Sequence, residues 1–332
     1  MAELAGFAQG FPHLKRAVYF LVPLAIIGAV APGFLNTYVV GSVLFLFLVY
    51  SILALSYDVL GGFAGYMNLG HVVFFGIGAY VAAIVFKKLE LSLAFGIVLA
   101  PIIAAAFAFL VSFPIFRLKG FYFAVAGLAL VELASLLVGS SDAKPLTNGF
   151  DGISFVQSNV LLPYYAALGL IVFSVLASLA ISKSKFGLAL RSIKEDEQVA
   201  GTVGINVPRM KRRALVISAV IAGLDGAIYF WGRGAISPQT AFGFVITFIP
   251  ITLALLGGTG TTSGPIVGGM IYIYLQNYFL GDLGTALPGT VYFPNAITGI
   301  LLIAVGLFAP RGIVGSPRIR SLVKWAYGEI TK

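Results

Sequence analysis

Charged residues punctuate the chain and leave long apolar runs between them. Residues 17–57, 59–86, 91–116, 152–182, 234–281 and 283–310 contain no Asp, Glu, Lys or Arg. A membrane-crossing helix needs about 20 apolar residues, so the first and fifth runs are long enough for two crossings each. Turn residues divide them: Pro32-Gly33 and Asn36 in the first, Gly257-Gly258 through Gly264-Pro265 in the other. The pattern predicts ten spans, over 17–31, 38–57, 69–86, 91–115, 121–139, 161–181, 214–231, 242–256, 264–280 and 291–309. The predicted fold class is an all-α polytopic membrane protein, a single transmembrane domain over 1–332, with some helices short or broken.

Composition supports that class. Hydrophobic residues make up 59% of the 332 and charged residues 10%, against the roughly 25% charged residues of a soluble domain. This excludes a soluble enzyme, a disordered chain and a nucleic-acid-binding domain as the main reading. There is no Cys, hence no disulfide and no thiolate nucleophile or metal ligand. Two His residues cannot supply a zinc-type triad, and no Ser has a His base near it in sequence.

The net charge of +9 marks one face of the membrane. Eight basic residues against three acids lie between Lys183 and Arg213, and five against one in the tail 311–332. Basic loops stay cytoplasmic. Four predicted spans separate these segments and six precede the first, so both termini fall inside. Lys87-Lys88 then lies outside, against the rule. The Lys15-Arg16 pair, the stretch from Val18 and Ala29-Val30-Ala31 also fit a cleavable signal, which would leave nine spans.

The loop 183–213 carries the most information. Ser192 and Glu195 have the spacing of a capping box, in which each side chain satisfies a free N–H of the first turn. Glu195, Asp196 and Glu197 would sit in that turn, and Gly204 would end the helix in a left-handed conformation. A helix of about ten residues is unstable alone in water, so it must lie against something. Ile193, Ala200 and Val203 offer a weak apolar face. The alternatives are a solvated connector and a docking helix for a soluble partner.

Several stretches together resemble the M-type permease of branched-chain amino acid ABC importers. They are the loop from Phe186 to Glu197 with Gly204-Ile205-Asn206, Gly65 to His71, Phe74 to Tyr80, Leu118 to Ala124, Thr147 to Gly152, Leu256 to Pro265, and Pro310 to Gly315. The resemblance implies a coupling helix from Ile193 to Gly204 that docks on an ATPase, with Arg191, Ile193, Glu195, Asp196, Glu197, Ala200, Val203 and Gly204 as docking residues. It departs at Val199-Ala200-Gly201-Thr202-Val203, where the family often has a Glu and small residues, and at Asp225, usually small and apolar. Implied partners are two cytoplasmic ATP-binding subunits, a second homologous permease and an extracytoplasmic binding protein. No cofactor is implied in this chain, since ATP and Mg would belong to the ATPases, and no G-x-x-x-x-G-K-[ST] phosphate loop occurs. The cargo would be a hydrophobic amino acid, or urea or a short amide.

Two glycine patterns look paired: Leu60-Gly61-Gly62-Phe63-Ala64-Gly65 and Leu256-Gly257-Gly258-Thr259-Gly260. Gly-interrupted segments in corresponding halves point to a transport pathway, although small residues also serve close helix packing. The pathway candidates are Gly61, Gly65, Asn68, His71, Glu132, Gly257, Gly258 and Gly260. Glu132 and Asp225 lie within spans, where a carboxylate costs about 3 kcal/mol to insert, so each should face the bundle interior or water. These acids would also suit an ion- or proton-coupled secondary transporter. An intramembrane enzyme lacks a supporting side-chain constellation.

Overall fold

The computed structural model describes residues 26–157, 159–276, 299, 300 and 303. Residues 17–25 of the first predicted span, almost all of the last span and the tail 311–332 lie outside them. The described part is mostly helical. Six of its helices are long and apolar enough to cross a membrane, and Val72–Lys87 and Gly264–Tyr274 are shorter apolar helices. The count of ten is therefore not reproduced among the described residues, although each of the eight inner predicted spans has a helix at its place.

A π-helical turn at Val39–Leu44 leads into α1 (Phe45–Leu60). An irregular stretch follows, then α2 (Val72–Lys87), α3 (Leu93–Ile115) and α4 (Phe121–Gly139). Past β1 (Ile153–Ser154) comes α5 (Leu161–Lys183), then α6 (Lys185–Glu195) and α7 (Glu197–Thr202) in the basic loop. The long α8 (Val207–Arg233), β2 (Ala235–Ile236), α9 (Pro238–Phe242), α10 (Phe244–Gly257) and α11 (Gly264–Tyr274) complete the described chain. The strands form a two-residue antiparallel ladder with Ile153 opposite Ile236. It ties the start of α5 to the end of α8.

The centre of the bundle is α8, packed on α1, α2, α3 and α5. It begins earlier than the predicted span because Asn206 accepts a hydrogen bond from Arg209 N–H at 3.1 Å and Pro208 occupies the first turn. Small residues let the helices meet backbone to backbone: a Cβ on Gly78 would overlap the Gly223 carbonyl, and one on Gly226 the Phe75 carbonyl. On α3, Gly96, Ala100, Ala104, Ala108 and Ser112 recur every fourth residue and are buried, while much of the helix is exposed.

Lys88 donates to Asn148 Oδ1 at 2.8 Å, at the opposite end of α2 from the basic loop. The number of predicted spans between the two segments implies the same opposition.

Candidate functional site

The basic loop folds into two short helices, with different caps from those expected. Ser192 is not a cap. It lies inside α6 and its hydroxyl donates to the Leu188 carbonyl. Ser184 starts α6 by accepting from Gly187 N–H at 3.1 Å. The chain then runs helically to Glu195 and breaks at Asp196, whose Oδ1 accepts from the N–H groups of Gln198 and Val199 at 2.8 and 3.0 Å. Aspartate and serine cap helices about equally well; here Asp196 carries the cap, so the break falls four residues after Ser192. The expected stop holds: Gly204 has φ +89°, Ile205 N–H bonds to Ala200 O, and Gly204 N–H bonds to Gly201 O. These two bonds define a Schellman cap.

The break sorts the docking candidates into two sets. Ile193 and Ala200 face the membrane bundle and are buried, whereas Val203, at 71% exposed, does not share that face. Glu195, Asp196 and Gly204 are exposed too. So is Arg191, whose guanidinium lies over the Phe63 ring at 5.6 Å. Val199 and Val203, four residues apart, make an outward apolar pair.

Glu197 anchors the loop. Its Oε1 receives the Lys211 ammonium at 2.8 Å, and its Oε2 accepts from the Tyr66 hydroxyl. Lys211 also donates to Tyr66 Oη at 2.9 Å and lies over the Tyr66 and Phe116 rings at 4.6 and 5.3 Å. Tyr66 packs edge-on against Phe116 and Phe123, from the α3–α4 turn. Burial pushes the Glu197 carboxyl upward, but the hydrogen bonds from Lys211 and Tyr66 and the lysine charge outweigh it and hold it below the usual carboxylate range. Burial first, and then Glu197, raise the Tyr66 phenol. One knot thus joins the loop, α8, the stretch after α1, and the turn into α4.

A second knot joins the two glycine patterns. Asp58, buried near the end of α1, accepts Gly260 N–H with both oxygens at 2.9 and 3.0 Å. A Cβ on Gly62 would collide with this carboxylate. Lys194 of α6 donates to Gly62 O at 2.9 Å, and its stem packs over Gly65. Gly258 and Gly260 turn the second stretch with φ +119° and +74°, and Gly257 sits against the Gly264 backbone. Both stretches therefore follow one plan, long helix, glycine turn and short apolar helix, and they meet directly under α6. Gly61 lies in the first of these turns.

Asn68 and His71 are buried in the irregular stretch, where protein rather than lipid surrounds the unpaired backbone. Asn68 Oδ1 accepts from Gly70 N–H. The Ser56 hydroxyl donates to Leu53 O, so its oxygen accepts from His71 Nε2–H at 2.8 Å. Nδ1 faces Ser218 Oγ at 3.3 Å. The Ser218 hydroxyl donates to Ser56 O at 2.8 Å, linking α8 to α1 beside His71. Asp225 is buried inside the bundle, as its insertion cost demands. Glu132 is exposed on the outside of α4, because Phe123, Ala124, Gly127 and Val131 take the packed face. Among the described residues no cluster of three or more His, Asp or Glu could hold a metal.

Asp58, Tyr66, Lys194 and Lys211 escape a reading of the sequence. The signal for Asp58 is that it is the one charge between residues 17 and 86. Tyr66 and Lys211 are 145 positions apart and carry no local signal.

A polytopic helix bundle with irregular backbone buried at one end and a capped helical loop clamped over it has the architecture of a membrane transport component. The chain belongs to the family of branched-chain amino acid transport system permease components, whose model matches residues 39–306. It is 25% identical to the high-affinity branched-chain amino acid transport permease LivM of Escherichia coli K12, over 90% of this chain and 75% of LivM. It is 29% identical to LivH of the same organism, over 82% of this chain and 93% of LivH. For BraD of Pseudomonas aeruginosa the identity is 26%, over 82% and 94%. No solved structure matches the chain significantly.

Proposed function

We propose that this chain is a permease subunit of an ATP-driven importer of branched-chain or other hydrophobic amino acids. Family membership supports the transport role, and the clamped loop supports the coupling role. In this reading α6 and α7 form the coupling element on the cytoplasmic side. Glu195, Asp196, Val199 and Val203 meet an ATPase, while Ile193, Glu197 and Ala200 hold the element to the bundle. Movement of the ATPase then pulls on Lys211 and Lys194, and through them on Tyr66, Gly62 and the Asp58–Gly260 contact. Both glycine turns would move with the loop. ATP and Mg bind the two ATPases, and an external binding protein delivers the substrate.

A second permease fits the exposed side of the bundle. Val125, Ala129, Glu132 and Leu136 recur on one exposed face of α4, and few residues of α4 are buried, whereas most of the apolar part of α8 is. A carboxylate facing lipid at mid-span costs about 3 kcal/mol, so this face meets protein or a water-filled path.

The experiment is reconstitution with the cognate ATPases, permease and binding protein, followed by uptake of labelled leucine, urea and acetamide. ATP-dependent leucine uptake that Val199→Asp plus Val203→Asp abolishes supports the reading. Uptake driven by a proton gradient without an ATPase refutes it, and urea uptake alone refutes the amino-acid assignment.

A further inference from the structure

Close to the loop, α3 and α8 leave a groove of about 440 Å³ that neither knot uses. Phe109 of α3, Phe186 of α6, and Val216 and Ile217 of α8 give it apolar walls. Three arginines of α8, Arg209, Arg212 and Arg213, complete the lining. We propose that this groove binds an anionic phospholipid, the arginines holding its phosphate and the apolar walls one acyl chain.

Charge is the first argument. Residues 209–213 carry four cations and no acid. Glu197 neutralises Lys211, and among the described residues no ion pair engages the three arginines. The Arg212 guanidinium is stacked on Phe113 at 4.0 Å and lies 5.5 Å from Phe109. Its Nε is buried without a hydrogen-bond partner. A planar, fixed guanidinium with free donors matches phosphate oxygens in bidentate geometry. Arg209 and Arg213 are exposed beside it.

Depth is the second argument, and it selects lipid over a soluble anion or the ATPase. Phe109 lies six residues inside the end of α3, and Ile217 ten residues inside the start of α8. The basic loop runs to Arg213, four residues before Ile217, so at 1.5 Å per residue the groove reaches roughly 6–9 Å past the charged ends of the two helices. A water-soluble partner does not reach that depth, but an acyl chain whose headgroup sits at the arginines does. The site rests on the proposed orientation only in that anionic lipid is concentrated in the cytoplasmic leaflet.

The test is native mass spectrometry of the detergent-purified full chain, titrated with phosphatidylglycerol, phosphatidylcholine or inorganic phosphate. Transport plays no part in this readout, so a failed transport assay does not touch it. The wild type should retain phosphatidylglycerol at least tenfold more strongly than phosphatidylcholine. Each Arg→Gln change should lower that retention about fivefold, the weight of one surface cation. Arg209→Gln plus Arg213→Gln, both exposed, keeps the test valid if R212Q fails to fold. Equal retention of the two lipids, or unchanged retention in the double variant, overturns the proposal. Displacement of the lipid by millimolar phosphate overturns the acyl-chain part.

Discussion

Replacing Glu197 by alanine strands the Lys211 ammonium, whose side chain is only 2% exposed. At 2.8 Å and an effective dielectric of about 20, the gross attraction of the pair is about 6 kcal/mol. Most of it offsets the desolvation of both charges. Removing one partner of a buried pair costs about 3–5 kcal/mol, because the other stays buried and unpaired. The Tyr66 hydroxyl and two aromatic faces still surround Lys211, which puts Glu197→Ala at the low end, about 3 kcal/mol. Lys211→Met should cost less, about 1 kcal/mol, since Glu197 is 29% exposed and can regain water. The assay is hydrogen exchange of the amides in 185–206 in the purified chain. A loss of 3 kcal/mol opens the loop about 150-fold more often, and 1 kcal/mol about fivefold. The double variant Lys211→Met with Glu197→Ala should fall below the sum of its parts. Equal small effects for both single variants, or strict additivity, would refute the idea that a buried ion pair holds the loop.

Four further outcomes follow from the same contacts. Glu197 ionises more readily in the folded chain than in the unfolded one, so its contribution is complete above the unfolded pKa of about 4.3 and fades as pH falls through its lower folded value. Protease cleavage within 185–206 should therefore be flat from pH 8 to about 4.5 and rise only below that. Asp58→Ala removes the acceptor of Gly260 N–H, a loss of about 1–3 kcal/mol. It should lower the thermal midpoint and loosen exchange in 257–264 as well as in 61–65. Gly78→Ala pushes α2 off the Gly223 carbonyl and should cost about 1–3 kcal/mol. In Gly169→Ala the new methyl group meets nothing, and the change should stabilise α5 by about 0.5–1 kcal/mol; a matching loss there would undermine the packing argument.

The helices were legible because the membrane imposes one rule, apolar runs between charges, and eight inner spans obey it. Residues 61–71 were legible as broken for the same reason, since glycines interrupt the run. What escaped was direction. Glu132 and Asp225 look alike in sequence, each a lone acid in a span, yet one faces outward and the other is buried. Only the neighbours on each helix decide that: Gly127 and Val131 take the packed side of α4, whereas α8 is enclosed on several sides. The coupling loop was legible in its residues but not in its break. Serine and aspartate both cap helices, and the choice between Ser192 and Asp196 depends on where α6 packs. Asp58 was hidden by three residues of helix, because the predicted span stops at 57 and the real one at Leu60.

The central position of α8 bears on how the chain is made. Among the long apolar helices its mean hydropathy, 1.8, is the lowest, and it carries Asp225 together with Arg209, Lys211, Arg212 and Arg213. Such a segment partitions poorly into lipid by itself. Yet the four helices that enclose it, α1, α2, α3 and α5, all precede it in the chain. They leave the ribosome first and can assemble a slot lined with glycine and alanine before α8 emerges. The helix then enters protein rather than hydrocarbon, and its buried carboxyl never has to meet the lipid phase. Order of synthesis thereby does for insertion what hydrophobicity does for the other spans.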